Sequence, residues 1–322
     1  MRARGIGKGD LAIAVVLAGA MCAASLLFDP KTRLSGEMGI CLPSPNLWDI
    51  IPIWSWGANT LLIVLMAVGC FVLNRHFNFI RSTEPVLPGM FLVLVASNPW
   101  NDVSLCASTL LCVVVMLCLT LLFGCYRSTN ATQEIFLIAT FLSIGSMCQY
   151  AFLPFIVPMV AAAIIMKAFR LKEALALLMG LVVPYWIGIG FGLIRLDSFR
   201  LPEFSNLFGG FAETPDLILL LSSTGLAMLI GLLLGFNNSM KLYAGNSRVN
   251  ALNMAISLTG LTSIICIIVD FSNMMAYIST LYFAVAVQIA NLCALWTFKR
   301  EWVVCLIPVV VYVGFFVAML FV

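Results

Sequence analysis

The residues best placed for chemistry form one polar interruption in an apolar chain: Asn98-Pro99-Trp100-Asn101-Asp102. An aspartate in such a setting can take a proton from a hydroxyl, or hold a divalent cation against a phosphate. The apolar run before it, Val86 to Ser97, has twelve residues, about 18 Å of helix against a hydrocarbon core of about 30 Å. The pentad should therefore sit several ångströms below the membrane boundary. Irregular backbone at that depth is tolerated only inside protein or along a watery cavity, and an ionisable residue there is a functional-site hypothesis by default. The plain alternative is a locally thinned bilayer with Asp102 solvated. A second acid, Asp29, follows the first apolar run in Leu27-Phe28-Asp29-Pro30, where proline would end a helix and leave the acid at the surface. Coupled with Asp102, it would instead place two carboxylates around one outward cavity. Arg195 and Arg200, in another outer loop, suit ordinary contacts with lipid headgroups.

Side chains held at such a depth need a helical scaffold, and the composition supplies one. Of the 322 residues, 62% are hydrophobic and 10% charged, against roughly 25% charged in an ordinary soluble domain. A fold of this size could not hide that much apolar surface from water, so its solvent is lipid. Apolar runs fall at approximately 11–28, 56–73, 86–103, 104–126, 134–152, 154–169, 174–194, 217–236, 251–270, 276–298 and 302–322. They predict an all-α fold: one integral membrane domain over residues 1–322, a polytopic transmembrane bundle of about eleven spans, N-in and C-out. The third span is expected to be short or broken. The first run follows MRARGIGKGD and contains Ala18-Gly19-Ala20, a cleavage-like pattern, but it is long enough to span and reads as an uncleaved first helix.

Orientation follows from the basic residues. If the third segment crosses, thirteen Lys and Arg are cytoplasmic and four (Lys31, Arg33, Arg195, Arg200) lie outside. If it turns back, the split becomes seven to ten, against the positive-inside rule. Under the crossing topology nine of the fourteen acids, among them Asp29, Asp49, Asp102, Asp216 and Asp270, are outside or at the outer boundary. Carboxylate chemistry is therefore expected on the outer face. The two longest outer loops, 29–55 and 195–216, carry LWDIIPIWSW and FRLPEFSNLFGGF, both suited to lying in the membrane interface. The net charge of +3 is too small and scattered to suggest nucleic acid.

Other features read as structural. Nine of the eleven cysteines lie in apolar runs, with Cys41 in a clear loop and Cys106 near the start of a span. With one histidine (His76) and no CxxC pair, a metal site is not expected and no motif names a cofactor. Polar stripes on the ninth span (Thr259, Thr262, Ser263, Cys266, Asp270) and the tenth (Thr280, Ala284, Gln288, Asn291) suit interhelical hydrogen bonding or a solute path. Gly180, Pro184, Gly188 and Gly192 recur every four residues, and Gly231 and Gly235 repeat the spacing. Both predict close helix packing.

The acids of the first and second outer loops, Asp29 (or Asp49) and Asp102, give the chain a resemblance to the membrane glycosyltransferases of the GT-C class. These use polyprenyl-phosphate sugars and carry acids in those loops. The resemblance implies that Asp29 and Asp102 are catalytic, and that Asn98, Trp100, Asn101, Arg195 and Arg200 bind substrate. Departures are the short first loop, the missing DxD or ExD pair and the lack of a soluble outer domain. A second resemblance runs from Asn74 to Ile194, on Leu73-Asn74-Arg75-His76-Phe77-Asn78-Phe79-Ile80-Arg81, Leu87-Pro88, Arg170-Leu171-Lys172-Glu173 and Gly180…Pro184-Tyr185. This stretch is similar to an uncharacterised family of polytopic inner-membrane proteins of Bacteroidota. It implies a bacterial inner membrane and no mechanism. The expected function is the handling of a lipid-linked glycan on the outer face during envelope assembly, with membrane lipid and a lipid-linked sugar as partners. A structural subunit bound to other membrane proteins, or a secondary transporter, are the alternatives.

Overall fold

The computed structural model describes residues 8–28, 39–48, 50–80, 86–194, 196–199, 215–243, 247–295 and 301–321. Among these residues there are twelve α-helices and no β-strand. In chain order these are α1 (Lys8–Phe28), α2 (Pro52–Phe77), α3 (Val86–Ala96), α4 (Pro99–Asp102), α5 (Ala107–Gly124) and α6 (Thr132–Cys148). There follow α7 (Ile156–Ile165), α8 (Leu171–Gly190), α9 (Pro215–Tyr243), α10 (Ser247–Val269), α11 (Met274–Leu295) and α12 (Glu301–Phe321). A 3-10 turn, Tyr150–Phe155, leads into α7. Each apolar run read from the sequence falls on one helical segment, except that the third is divided into α3 and α4 and the fifth, 134–152, runs past the end of α6 into the 3-10 turn. Seven helices (α1, α2, α5, α8, α9, α10, α11) are long and apolar enough, over their described residues, to cross a bilayer. The remaining apolar segments, in α3, α6, the turn with α7, and α12, are shorter.

Two helices are enclosed by the others. Every side chain of α3 is buried, as is every one from Met274 to Asn291 on α11. They pack on each other, with Phe91 set edge-on to Phe283 at 6.3 Å. Around them α1, α2, α8 and α9 expose apolar side chains such as Val16, Val64, Trp186 and Leu233, the pattern of helices whose outer face is solvated by lipid. An eleven-residue helix of about 16 Å could not stand alone in hydrocarbon. Inside this ring its polar ends meet protein instead.

Helix ends gather at two ends of the bundle. At one, the Cys41 and Leu42 amides donate to the Met147 carbonyl at the close of α6 (3.2 and 2.9 Å). There too Ser108 on α5 donates to Ser279 on α11 (2.7 Å). At the other, the Arg127 amide donates to Met166 (3.0 Å) and Asn253 to the Phe79 carbonyl (3.0 Å). Glu173 caps the start of α8 there, accepting from the Arg170 amide (3.1 Å) and from Thr132 (3.3 Å).

The glycine stripe on α8 divides into different roles. A Cβ at Gly180 would fall 2.5 Å from the Phe136 carbonyl oxygen and 2.7 Å from the Ala139 Cβ, so α6 and α8 approach closely there. Gly188 does not meet another helix. Its space is filled by Ile194, which returns along α8 after the helix ends. Gly192 has φ +70° and open space beside it, serving the turn out of α8. On α9, Gly231 faces Val285 of α11, and on α10, Gly260 faces Ala284.

Candidate functional site

The break between α3 and α4 has a local cause. Proline disfavours a helical residue before it, and Asn98 is extended at φ −109°, ψ 95°. Proline also lacks the N–H that would bond back to α3. Ser97 folds its hydroxyl onto the Leu94 carbonyl (2.6 Å), and the Asn98 side chain accepts from the Trp100 amide (3.2 Å), starting a new helical turn.

That turn carries Asp102 into the interior. Asn98, Asn101 and Asp102 are each 1% exposed, and Trp100 is buried with them. Four helices bond the turn and the residues that follow it. Cys22 of α1 donates its thiol to Asp102 Oδ2 at 3.7 Å. Asn59 of α2 donates to the carbonyls of Asn101 (2.7 Å) and Asp102 (3.4 Å). The Asn101 amide reaches Ser108 of α5 and Ser279 of α11, both at 3.4 Å. Ser55 of α2 accepts from the Leu105 amide (2.8 Å). Cys22 lies six residues before the end of α1 and Asn59 seven after the start of α2, which sets Asp102 about 9–10 Å inside the helix ends at about 1.5 Å per residue.

The cluster is incompletely satisfied. Asp102 Oδ1, Asn98 Nδ2 and Asn59 Oδ1 are buried with no hydrogen-bond partner among the described residues. Each such atom costs about 1–3 kcal/mol, and native interiors keep few of them. Among the described residues no basic side chain pairs with Asp102, and no three His, Cys, Asp or Glu side chains gather as a metal site would need. A carboxylate with one open oxygen, four residues on from an amide with an open N–H, can accept a proton or receive a polar ligand group that enters the cluster.

Of the residues singled out in the sequence, Asn98, Trp100, Asn101 and Asp102 are thus brought together. Asp29, Asp49, Arg195 and Arg200 lie outside the described residues. Phe28, the last described residue of α1, continues the helix whose Cys22 touches Asp102. The described part of the first long loop and the start of α2 expose Leu47, Trp48, Ile50, Ile51, Ile53 and Trp54, an apolar rim at the same end as Asp102.

Sequence reading missed Asn59, Cys22, Ser108 and Ser279. Their only signal is that Asn59 is a lone amide within a long apolar run. It also left Asp270 as a boundary acid with a place on a stripe. In the structure Asp270 is 2% exposed and accepts from Tyr150 (2.9 Å), Tyr277 (3.0 Å) and Asn273 (3.1 Å), while Asn273 also bonds Tyr150. The spacing 270, 273, 277 is helical and was available in the sequence; Tyr150, from across the bundle, was not. Tyr277 and Ser279 are about 200° apart around α11 at about 100° per residue, so the Asp270 cluster and the Asn101 amide meet this helix on opposite sides. No protein-family model, curated protein or solved structure matches this chain.

Proposed function

We propose that this chain is a bacterial inner-membrane protein of about eleven spans, N-in and C-out, that handles a lipid-linked glycan at its outer face in the manner of the GT-C class. The observation that carries the reading is Asp102: a carboxyl about 10 Å inside the helix ends, at a helix break, with one oxygen unpartnered. The neighbouring rim of Trp48, Ile51, Ile53 and Trp54 suits contact with the lipid part of a polyprenyl-phosphate sugar. In this reading Asp102 accepts the proton of the acceptor hydroxyl as that oxygen bonds the sugar carbon and the sugar's bond to phosphate breaks, the polyprenyl phosphate leaving with the electron pair. Asn98 and Asn101 position the sugar, and Asp29, Arg195 and Arg200 complete the site from the outer loops. Because Asp102 is enclosed in the resting protein, substrate entry requires the segments beside α4 to part.

One observation favours a secondary transporter instead. A discontinuous helix ending in unpaired polar groups inside the bundle is how many transporters build a coupling site. The two readings separate in one experiment. Membranes holding the wild type, Asp102→Asn, Asp29→Asn or Asp216→Asn are assayed for sugar transfer from polyprenyl-phosphate donors and for rescue of the null phenotype. Asp102→Asn keeps shape and removes charge, so transfer should fall about 10²–10⁴-fold with normal expression. Asp29→Asn should fall in the same direction, and Asp216→Asn should match wild type. Wild-type rescue by all three would sink the enzyme reading, and loss of rescue without any transfer activity would favour the transporter.

A further inference from the structure

Two cysteine pairs lie at opposite ends of the bundle. At the Asp102 end, segment 39–48 crosses the last turn of α6. The Cys41 amide bonds the Met147 carbonyl at 3.2 Å, and the Ile40 amide bonds Ser146 at 3.5 Å. A Cβ on Gly39 would fall 2.2 Å from the Cys148 carbonyl carbon, so only glycine lets the segment lie so close. Through one hydrogen bond and one peptide unit, the Cα atoms of Cys41 and Cys148 are about 7 Å apart or less. That reaches the range of roughly 4.4–6.8 Å that disulfides span. Both residues are half-buried, whereas seven of the other nine cysteines are buried. The Cys41 thiol is pushed above its ordinary value, first by partial burial and then by the Cys148 thiol beside it. At the other end, the sulfurs of Cys293 on α11 and Cys305 on α12 are 3.2 Å apart.

We propose that Cys41 and Cys148 form a disulfide on the outer face, fastening the first outer loop to the end of α6, while Cys293 and Cys305 remain thiols on the cytoplasmic side. The proposal rests on the orientation proposed above and is independent of the glycan reading. Oxidising exteriors keep such bonds and the cytosol reduces them, so the side of the membrane decides the fate of each pair. The bond forms by exchange with a disulfide-bearing oxidant of the exterior. One thiolate attacks the oxidant's disulfide and releases its first thiol, leaving a mixed disulfide. The second thiolate displaces the other half. Cys41 and Cys148 lose two protons and two electrons, and the oxidant leaves as two thiols. The bond would anchor the loop that carries Asp29 and Asp49 at one fixed point over the bundle.

The test uses the full chain in its native membranes. Thiols are blocked with light N-ethylmaleimide in SDS without reductant. The protein is then reduced, labelled with heavy reagent and mapped by mass spectrometry. Cys41 and Cys148 should carry heavy label, with a linked peptide in the unreduced digest, and Cys293 and Cys305 should carry light label. In the variant Cys148→Ser, Cys41 should switch to light label. Light label on Cys41 and Cys148 in the wild type overturns the proposal. If Cys41 is then also reached by an impermeant maleimide in intact cells, the orientation survives and the disulfide alone fails. A linked peptide joining Cys293 to Cys305 instead would overturn both.

Discussion

Asn59 is the residue on which the α4 turn depends most directly. Its amide holds the Asn101 and Asp102 carbonyls, which no backbone donor of a four-residue helix could satisfy. Asn59→Ala should therefore cost about 1–3 kcal/mol, read as an earlier midpoint in detergent unfolding. Ser222→Ala, which loses only a bond to its own helix at an exposed site, should leave the midpoint unchanged. At Asp270, Tyr150→Phe and Tyr277→Phe each remove one donor from the same carboxylate oxygen. Buried polar bonds in membrane proteins average about 0.6 kcal/mol, so each single change should be small. The double change should exceed their sum, because Asn273 also bonds Tyr150 and cannot replace both hydroxyls. A double-mutant cycle with zero coupling would show that the two tyrosines act independently.

At the scale of elements, contact rather than helix propensity decides which positions tolerate change. Gly180 is where the backbones of α6 and α8 approach closely enough to exclude a side chain, at Phe136 and Ala139. Gly180→Leu should lower stability by about 1–3 kcal/mol or prevent accumulation, whereas Gly190→Ala, with nothing within 4 Å, should behave as wild type. The stripe read from the sequence treated Gly188 as equivalent to Gly180. The difference arises because the chain turns at Gly192 and lays Ile194 back on α8, a return that spacing along one helix cannot reveal. Of the polar stripes on α10 and α11, Gln288 and Asn291 bond between helices. Gln288 takes Asn238 of α9 and bonds Ser257 of α10 (2.9 and 3.0 Å), and Asn291 bonds Asn253 (2.5 Å). Thr259 and Ser263 instead bond back within their own helix.

At the scale of the molecule, the division into two ends converts orientation into a measurable quantity. Thr129, in the exposed turn after α5, and Phe199, after α8, lie at opposite ends of the bundle. In otherwise cysteine-free chains, Phe199→Cys should react with an impermeant maleimide in intact cells. Thr129→Cys should react only in inverted or permeabilised membranes. Labelling of Thr129→Cys from outside would invert everything after α3.

Composition and run length alone determined the membrane solvent, the helical class and the positions of the apolar segments, because burying so many apolar residues admits no other solvent. Asn98-Pro99 also determined the break in the third segment, since proline's missing donor and the restriction on the residue before it are local properties. Tertiary structure decided what those elements do. It chose α3 and α11 as the enclosed pair, although other helices are equally apolar, because enclosure depends on which neighbours supply small or complementary surfaces. It also decided that the Asp102 carboxyl meets Cys22, while the backbone and Asn101 of its turn meet Asn59, Ser108 and Ser279. These residues come from four separate helices, and their convergence is a property of packing that no spacing along the chain records.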